Sequence, residues 1–277
     1  MSNPLAELSI LLHLKISQWD AQVSDKRALD AVAAAFKGDT SKDKYRKSLF
    51  VNDPLKGVAR CASRVRNNFY KWTLPWQDGG GRLVPSLDFR DFQRQHASLV
   101  GDFDFEVNEF LVAYDDHKDM ARSHRGDLYC ESDYPSVDEL QGRFGVALQA
   151  LPFPSATDFR VEAPEEIIDQ LRADVDRTVG EVTALVANNM QDRIQDRLKT
   201  LVEALNSEKR FTSNLFDELE FVVNMGRSLR DVLPERQRTT LSQIEDCILK
   251  FSPEQVRNSD ALRAGLGMQG YEILRRM

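Results

Sequence analysis

PEEIIDQLRADVDRTVGEVTALVANNMQDRIQDRLKTLVEALNS, residues Pro164 to Ser207, decides the fold. Pro164 suits the start of a helix, and Glu165 and Glu166 suit its positive end. Leu171, Val175, Val179, Val182, Val186, Met190, Ile194, Leu198, Leu201 and Leu205 then recur at steps of three and four. Nine steps over 34 residues average 3.78. A strict heptad gives about 3.5 and a left-handed supercoil, so this value leans to straight or slightly right-handed packing. At ~1.5 Å per residue the helix extends about 60 Å, longer than a compact domain needs.

Downstream, three more helices are predicted: Asn214 to Val232, Glu235 to Phe251, and Pro253 to the end. Pro234 separates the first two, and Ser252-Pro253 supplies a cap and a first-turn proline for the third. Upstream the chain is richer in aromatics. The shift falls between Pro152 and Pro164 and divides the chain into two expected domains. Residues 1–155 read as a mixed α+β domain with a basic helix and an aromatic helix, and 156–277 as a helical bundle or arm.

In the first part, Leu8, Ile10, Leu12, Leu14 and Ile16 alternate with other residues, which predicts a strand with one buried face. A short helix from Pro4 is the rival. Ser24 or Asp25 caps a helix carrying Leu29, Val32 and Phe36, and a short helix follows from Ser41 to about Phe50. Asp53-Pro54 opens the basic helix, which runs to about Tyr70. TLPWQDGGGRLVPS, Thr73 to Ser86, breaks the pattern with a turn and a short strand at Leu83-Val84. A long aromatic helix is expected from Ser86 to Gly126, with Phe92, His96, Leu99, Phe103, Val107, Phe110, Tyr114, His117 and Ala121 on one stripe. Ser136 caps a helix from Val137 to about Ala150, with Glu139 at its third position. Phe159 to Val161 reads as a short strand. The expected class is mainly α with a small antiparallel sheet in the N-terminal half.

The 277 residues include 37 Lys and Arg against 44 Asp and Glu, a net −7. From Lys42 to Lys71 the balance reverses. Lys42, Lys44, Arg46, Lys47, Lys56, Arg60, Arg64, Arg66 and Lys71 face only Asp43 and Asp53. Nine against two leaves +7 on this stretch and −14 on the rest. Those nine residues are the candidate contacts to nucleic acid or to an acidic protein partner, another copy of the chain included. Tyr45, Phe69, Tyr70, Trp72 and Trp76 lie nearby and offer stacking faces or loop anchors.

Other chemistry is thin. No run approaches a membrane span, and Leu8 to Ile16 lacks the features of a secretory leader. Cys61, Cys130 and Cys247 lie far apart with no C-x-x-C, which fits a reducing cytoplasm and gives zinc no support. His96, His117 and His124 share a helical face, but His96 lies about 31 Å from His117 along an unbroken helix. A metal-dependent enzyme built on the His117 region is the weakest of three functional hypotheses. Asp78-Gly79-Gly80-Gly81-Arg82 lacks the spacing of a phosphate loop. The acidic run Asp102, Asp104, Glu106, Glu109, Asp115, Asp116 and Asp119 reads as a solvated face. No nucleophile motif stands out, no cofactor is called for, and nothing argues for an enzyme.

The order of segments resembles a phage and prophage family catalogued only as a domain of unknown function. The matching stretches include the strand ending near Trp19, RKSLF at Arg46 to Phe50, FLVAYDD at Phe110 to Asp116, DYPSVDELQGRF at Asp133 to Phe144 and LPFPSATDFRV at Leu151 to Val161. The most specific element is TLPW with GRLVP, whose Trp72, Pro75, Trp76, Gly81, Arg82 and Pro85 form a structural motif. The likeness covers roughly residues 5–165. It implies a gene neighbourhood with an AAA+ ATPase of the MoxR or cobalt-chelatase type and a von Willebrand A-like protein. The implied partner is therefore an AAA+ ATPase, in the cytoplasm of an infected bacterium, with no catalytic residue carried over. The leading expectation is a non-enzymatic adaptor or assembly protein that self-associates or binds another protein, with nucleic-acid binding second and no membrane role.

Overall fold

The structure is a computed structural model and describes residues 4–77, 80–154, 164–207 and 211–277. In chain order its elements are α1 (Pro4–Leu8), β1 (Ser9–Ser17), β2 (Gln22–Ser24), α2 (Lys26–Phe36), β3 (Arg46–Ser48), α3 (Lys56–Trp72), β4 (Leu74–Pro75) and β5 (Gly81–Pro85). There follow α4 (Phe89–Val112), α5 (Tyr114–Arg125), α6 (Val137–Gln141), β6 (Gly145–Leu151) and α7 (Glu165–Asn206). The last helices are α8 (Asn214–Ser228), α9 (Glu235–Ile244), α10 (Pro253–Arg257) and α11 (Asp260–Arg276). The fold is mainly helical with a small antiparallel sheet in its N-terminal half, as the periodicities predict.

Two compact units divide the chain. One comprises Met1–His13, Tyr70–Gln93 and Gln149–Met277; the other comprises Leu14–Phe69 and Arg94–Leu148. The first is built on α7, which packs against α8 and α11. Met190, Ile194, Leu198 and Leu201 of α7 are fully buried, as are Leu219 of α8, Ile244 of α9, and Ile248. Gly270 sits where α11 meets α7: a Cβ there would lie 2.4 Å from Val202 Cγ2. In the same unit β1 pairs antiparallel with β5, Leu11 opposite Leu83, and β5 pairs antiparallel with β4. The alternation from Leu8 to Ile16 is therefore a strand, and the short α1 precedes it.

The second unit holds an aromatic core. Phe50 lies 6.0 Å from Trp19, 6.2 Å from Phe110 and 5.9 Å from Tyr134, mostly edge to face. Tyr134 donates its hydroxyl to Leu49 O at 2.6 Å and Tyr114 to Pro135 O at 2.9 Å, so both buried phenols are satisfied. Burial pushes the Tyr114 phenol up to about 12.

Several expectations are corrected. Residues 41–50 form no helix; Arg46–Ser48 is β3, paired antiparallel with β2, because Lys47 is drawn into a buried ion cluster. The aromatic helix is two helices, interrupted for one residue at Ala113 (φ −89°, ψ 5°). The helix capped by Ser136 has the expected reciprocal Glu139 box but ends at Gln141. Gly142 and Gly145 bracket its end, and Gly145–Leu151 is strand instead. The helix predicted from Glu235 to Phe251 passes after Ile244 into one π-helical turn, Glu245–Leu249. The last predicted helix breaks at Asn258, with Ser259 recapping it through Leu262 N. The strand expected at Phe159 to Val161 lies outside the described residues.

Candidate interaction surfaces

The nine basic residues do not act as one patch. On α3, a spacing of four places Lys56, Arg60 and Arg64 on one face. The same spacing on α4 places Asp102 and Glu106 side by side. The two stripes meet: Arg60 Nη2 lies 3.0 Å from Glu106 Oε1, and Arg64 Nη1 lies 2.9 Å from Asp102 Oδ2. Gly57 makes room for this contact, since a Cβ there would fall 1.9 Å from Glu106 Oε2. Arg46 is likewise taken by Asp20 at 2.6 Å. These pairs are exposed and each is worth at most about 1 kcal/mol, but they neutralise charge locally.

Lys47 leaves the surface altogether. Its ammonium lies 2.8 Å from Asp25 Oδ2, 2.8 Å from Asp133 Oδ2 and 2.7 Å from Leu128 O. Its side chain is only 4% exposed. Burial pushes the lysine pKa down, and hydrogen bonds and charge from Asp133 and Asp25 more than offset that, leaving it raised. Asp25 also caps α2, accepting from Arg27 N and Ala28 N, and its hydrogen bond with Lys47 is the largest cause holding its carboxyl below the ordinary value. A residue read as a phosphate contact thus ties β3 to the start of α2 and to the segment around Asp133.

Lys71 lies with its ammonium over the Phe221 ring at 4.7 Å. Lys42, Lys44, Lys56 and Arg66 remain exposed and have no ion pair among the described residues.

The TLPW and GRLVP motif is architectural. Trp72, Leu74, Trp76, Leu83 and Val84 are buried. Pro75 pairs in register with Arg82, Pro85 pairs with Ser9, and Gly81 with His13. Arg82 donates to Thr73 Oγ1 at 2.7 Å and Thr73 O at 2.9 Å, and its guanidinium lies 4.6 Å from the Tyr70 ring centroid. Arg193 of α7 donates to Tyr70 O at 3.0 Å, Lys71 O at 2.9 Å and Thr73 O at 2.7 Å. The carbonyls left open where α3 ends are met by two guanidinium groups. Desolvation brings the Arg193 pKa down to about 10. Gly80 has φ +80°, the left-handed turn geometry that the glycine run permits; Asp78 and Gly79 lie outside the described residues.

His96 is buried, and burial lowers its pKa; His117 stacks on Phe110 at 6.2 Å, and His124 lies on the surface. The three imidazoles are side chains of separate surroundings. Among the described residues no three His, Cys, Asp or Glu are grouped to hold a metal ion. A cleft of about 530 Å³ is bordered by Trp19, Asp20, Phe50, Asn52, Asp53 and Leu55, and the titratable side chains in its lining are the carboxylates Asp20 and Asp53.

Two apolar helix faces carry no fully buried residue. α2 carries Val32 and Phe36, 82% exposed in the case of Phe36, and has no buried residue. In α7 the buried residues begin only at Val182. The first seventeen residues of the helix, Glu165–Glu181, leave Ile167, Ile168, Leu171, Val175 and Val179 exposed or half-buried. The apolar stripe of α7 is continuous, but its fully buried residues run only from Val182 to Leu205.

No helix among the described residues is long and apolar enough to cross a membrane. Comparison with protein-family models, with curated proteins and with solved structures gives no match for this chain.

Proposed function

We propose that the chain is a non-enzymatic adaptor or assembly protein that works through helical protein–protein contacts. The observation that carries this is the amino-terminal half of α7. Some 25 Å of helix, at ~1.5 Å per residue, keeps an apolar stripe with no fully buried residue, its members exposed or half-buried. Such a face is costly in water and is the usual mark of a surface that receives a partner. The resemblance to the phage and prophage family adds an AAA+ ATPase as one expected partner and the infected bacterial cytoplasm as the expected setting.

The test is affinity purification of the full chain from infected cells with mass spectrometry, before and after nuclease treatment. Protein partners retained after nuclease support the reading. Recovery that collapses with nuclease contradicts it and favours a nucleic-acid-binding role. That second reading rests on Lys42, Lys44, Lys56 and Arg66, exposed and unpaired among the described residues. It requires salt-sensitive binding to DNA or RNA that Lys56→Glu with Arg66→Glu abolishes.

A further inference from the structure

Two exposed helix faces of the second unit complement each other. α2 has no buried residue, and Val32 and Phe36, one turn apart, stand 42% and 82% exposed. The other face is on α4. Gly101, Asp104, Phe105, Asn108, Glu109 and Val112 are all exposed, Phe105 at 63% and Val112 at 84%. Their spacing makes two successive holes of the kind that receives a side chain from a facing helix. Gly101, Asp104, Phe105 and Asn108 border the first. Phe105, Asn108, Glu109 and Val112 border the second, four residues further on. Val32 and Phe36 are also four residues apart, so this pair of knobs matches that pair of holes.

Size fixes the direction. A Cβ at Gly101 would meet nothing within 4 Å, so no neighbouring side chain or segment requires glycine there. An exposed glycine inside a helix costs stability relative to alanine. What it supplies here is room, and the first hole suits the larger knob, Phe36. The smaller Val32 then takes the second hole, and the two helices run antiparallel. Charge agrees with that direction. Lys37, next to Phe36, comes level with Asp104. Lys26, six residues before Val32, comes level with Asp115 and Asp116. These five residues are exposed and have no ion pair among the described residues. Asp30, the single acid of α2, is turned away from Val32 and Phe36 by the helical spacing.

Both faces are exposed within one chain, so α2 does not cover its own α4. We infer that α2 of one copy docks antiparallel on α4 of another, with Phe36 seated beside Gly101. This contact is separate from the α7 surface and does not depend on it.

Sedimentation equilibrium of the full chain over a wide concentration range is the test. The weight-average mass is expected to rise to at least twice the monomer value, and to rise less at high salt. Phe36→Asp removes the knob and Gly101→Leu fills the hole, so each is expected to hold the protein at the monomer. Both sites are exposed, so helix content by circular dichroism is expected to stay unchanged. Mixed together, the two variants are expected to form a 1:1 dimer, because one keeps its α2 face and the other its α4 face. Val175→Asp, on α7, is expected to associate as the wild type does. A constant monomer mass, association indifferent to Phe36→Asp or to Gly101→Leu, or a mixture that stays monomeric each overturns the inference. Loss of association with Val175→Asp also overturns it and moves self-association to α7.

Discussion

Arg193 Nη2 stands 2.7 Å from the carbonyl oxygen of Thr73, and the same guanidinium reaches the carbonyls of Tyr70 and Lys71. One side chain of α7 thereby closes the end of α3. Hydrogen bonds from a charged donor are each worth about 1.5–3 kcal/mol. Arg193→Ala is expected to destabilise the protein by about 2 kcal/mol, read as a lower urea midpoint. Arg193→Lys is expected to recover only part of this, because the guanidinium uses two nitrogens, Nη1 for Lys71 O and Nη2 for Tyr70 O and Thr73 O, where lysine offers one.

Lys47 gives a second prediction. Removing it leaves the Asp25 and Asp133 carboxylates facing each other without their cation, so Lys47→Met is expected to lower the urea midpoint at neutral pH. The carboxyl of Asp25 is held below its ordinary value, chiefly by its hydrogen bond with Lys47. A depressed carboxyl stabilises the fold above about pH 3.9 and loses that contribution as pH falls through its lower folded value. The wild type is therefore expected to lose stability on acidification below about pH 4, and Lys47→Met to show a shallower acid limb. Urea midpoints measured between neutral and strongly acidic pH check both.

Glu131 offers a site-resolved version of the same linkage. Lys118, Tyr129 and Arg122 all bond its carboxylate, Tyr129 Oη at 2.6 Å and Arg122 Nη2 at 2.6 Å. Hydrogen bonding, led by Lys118, brings its pKa down to about 2. Its contribution is present above the unfolded value of about 4.3 and lost as pH falls toward the folded one. Carboxyl resonances followed by NMR are expected to show one glutamate titrating near 2. Lys118→Met should move that midpoint upward; an unmoved midpoint would contradict the contact.

Gly270 tests the α7–α11 packing. A methyl placed there meets Val202 Cγ2 at 2.4 Å. Overpacking of this kind costs typically 1–3 kcal/mol, so Gly270→Ala is expected to destabilise by about that amount. In a Val202→Ala background the offending methyl is gone, and the same change is expected to cost clearly less. Paired urea titrations of the four proteins give the coupling.

What the sequence revealed followed from periodicity and caps. The strand at Leu8 to Ile16, the length of α7, the Ser136 capping box, the Ser252 cap and the helical carboxyl-terminal half all rest on local patterns that the fold keeps. The failures came from partners distant in sequence. Nothing near Lys47 announces that Asp133 will bury it, and without that cluster the 41–50 segment reads as helix. In the sequence the +7 of residues 42–71 and the acidic run from Asp102 look like separate faces, although Arg60 and Arg64 pair with Glu106 and Asp102. Matching spacings of four on the two helices were the available signal.

The amino-terminal part of α7, exposed or half-buried, is the surface on which the proposed function depends, rather than the basic segment. Partner recovery by the full chain from nuclease-treated lysate, compared among wild type, Val175→Asp and Lys56→Glu with Arg66→Glu, tests this most directly. Val175→Asp is expected to reduce recovery at least about ten-fold, the effect of a loss near 1.4 kcal/mol in binding, while the charge reversals leave it unchanged. Full recovery by Val175→Asp, with loss on charge reversal, would contradict the claim and move the function to the basic residues.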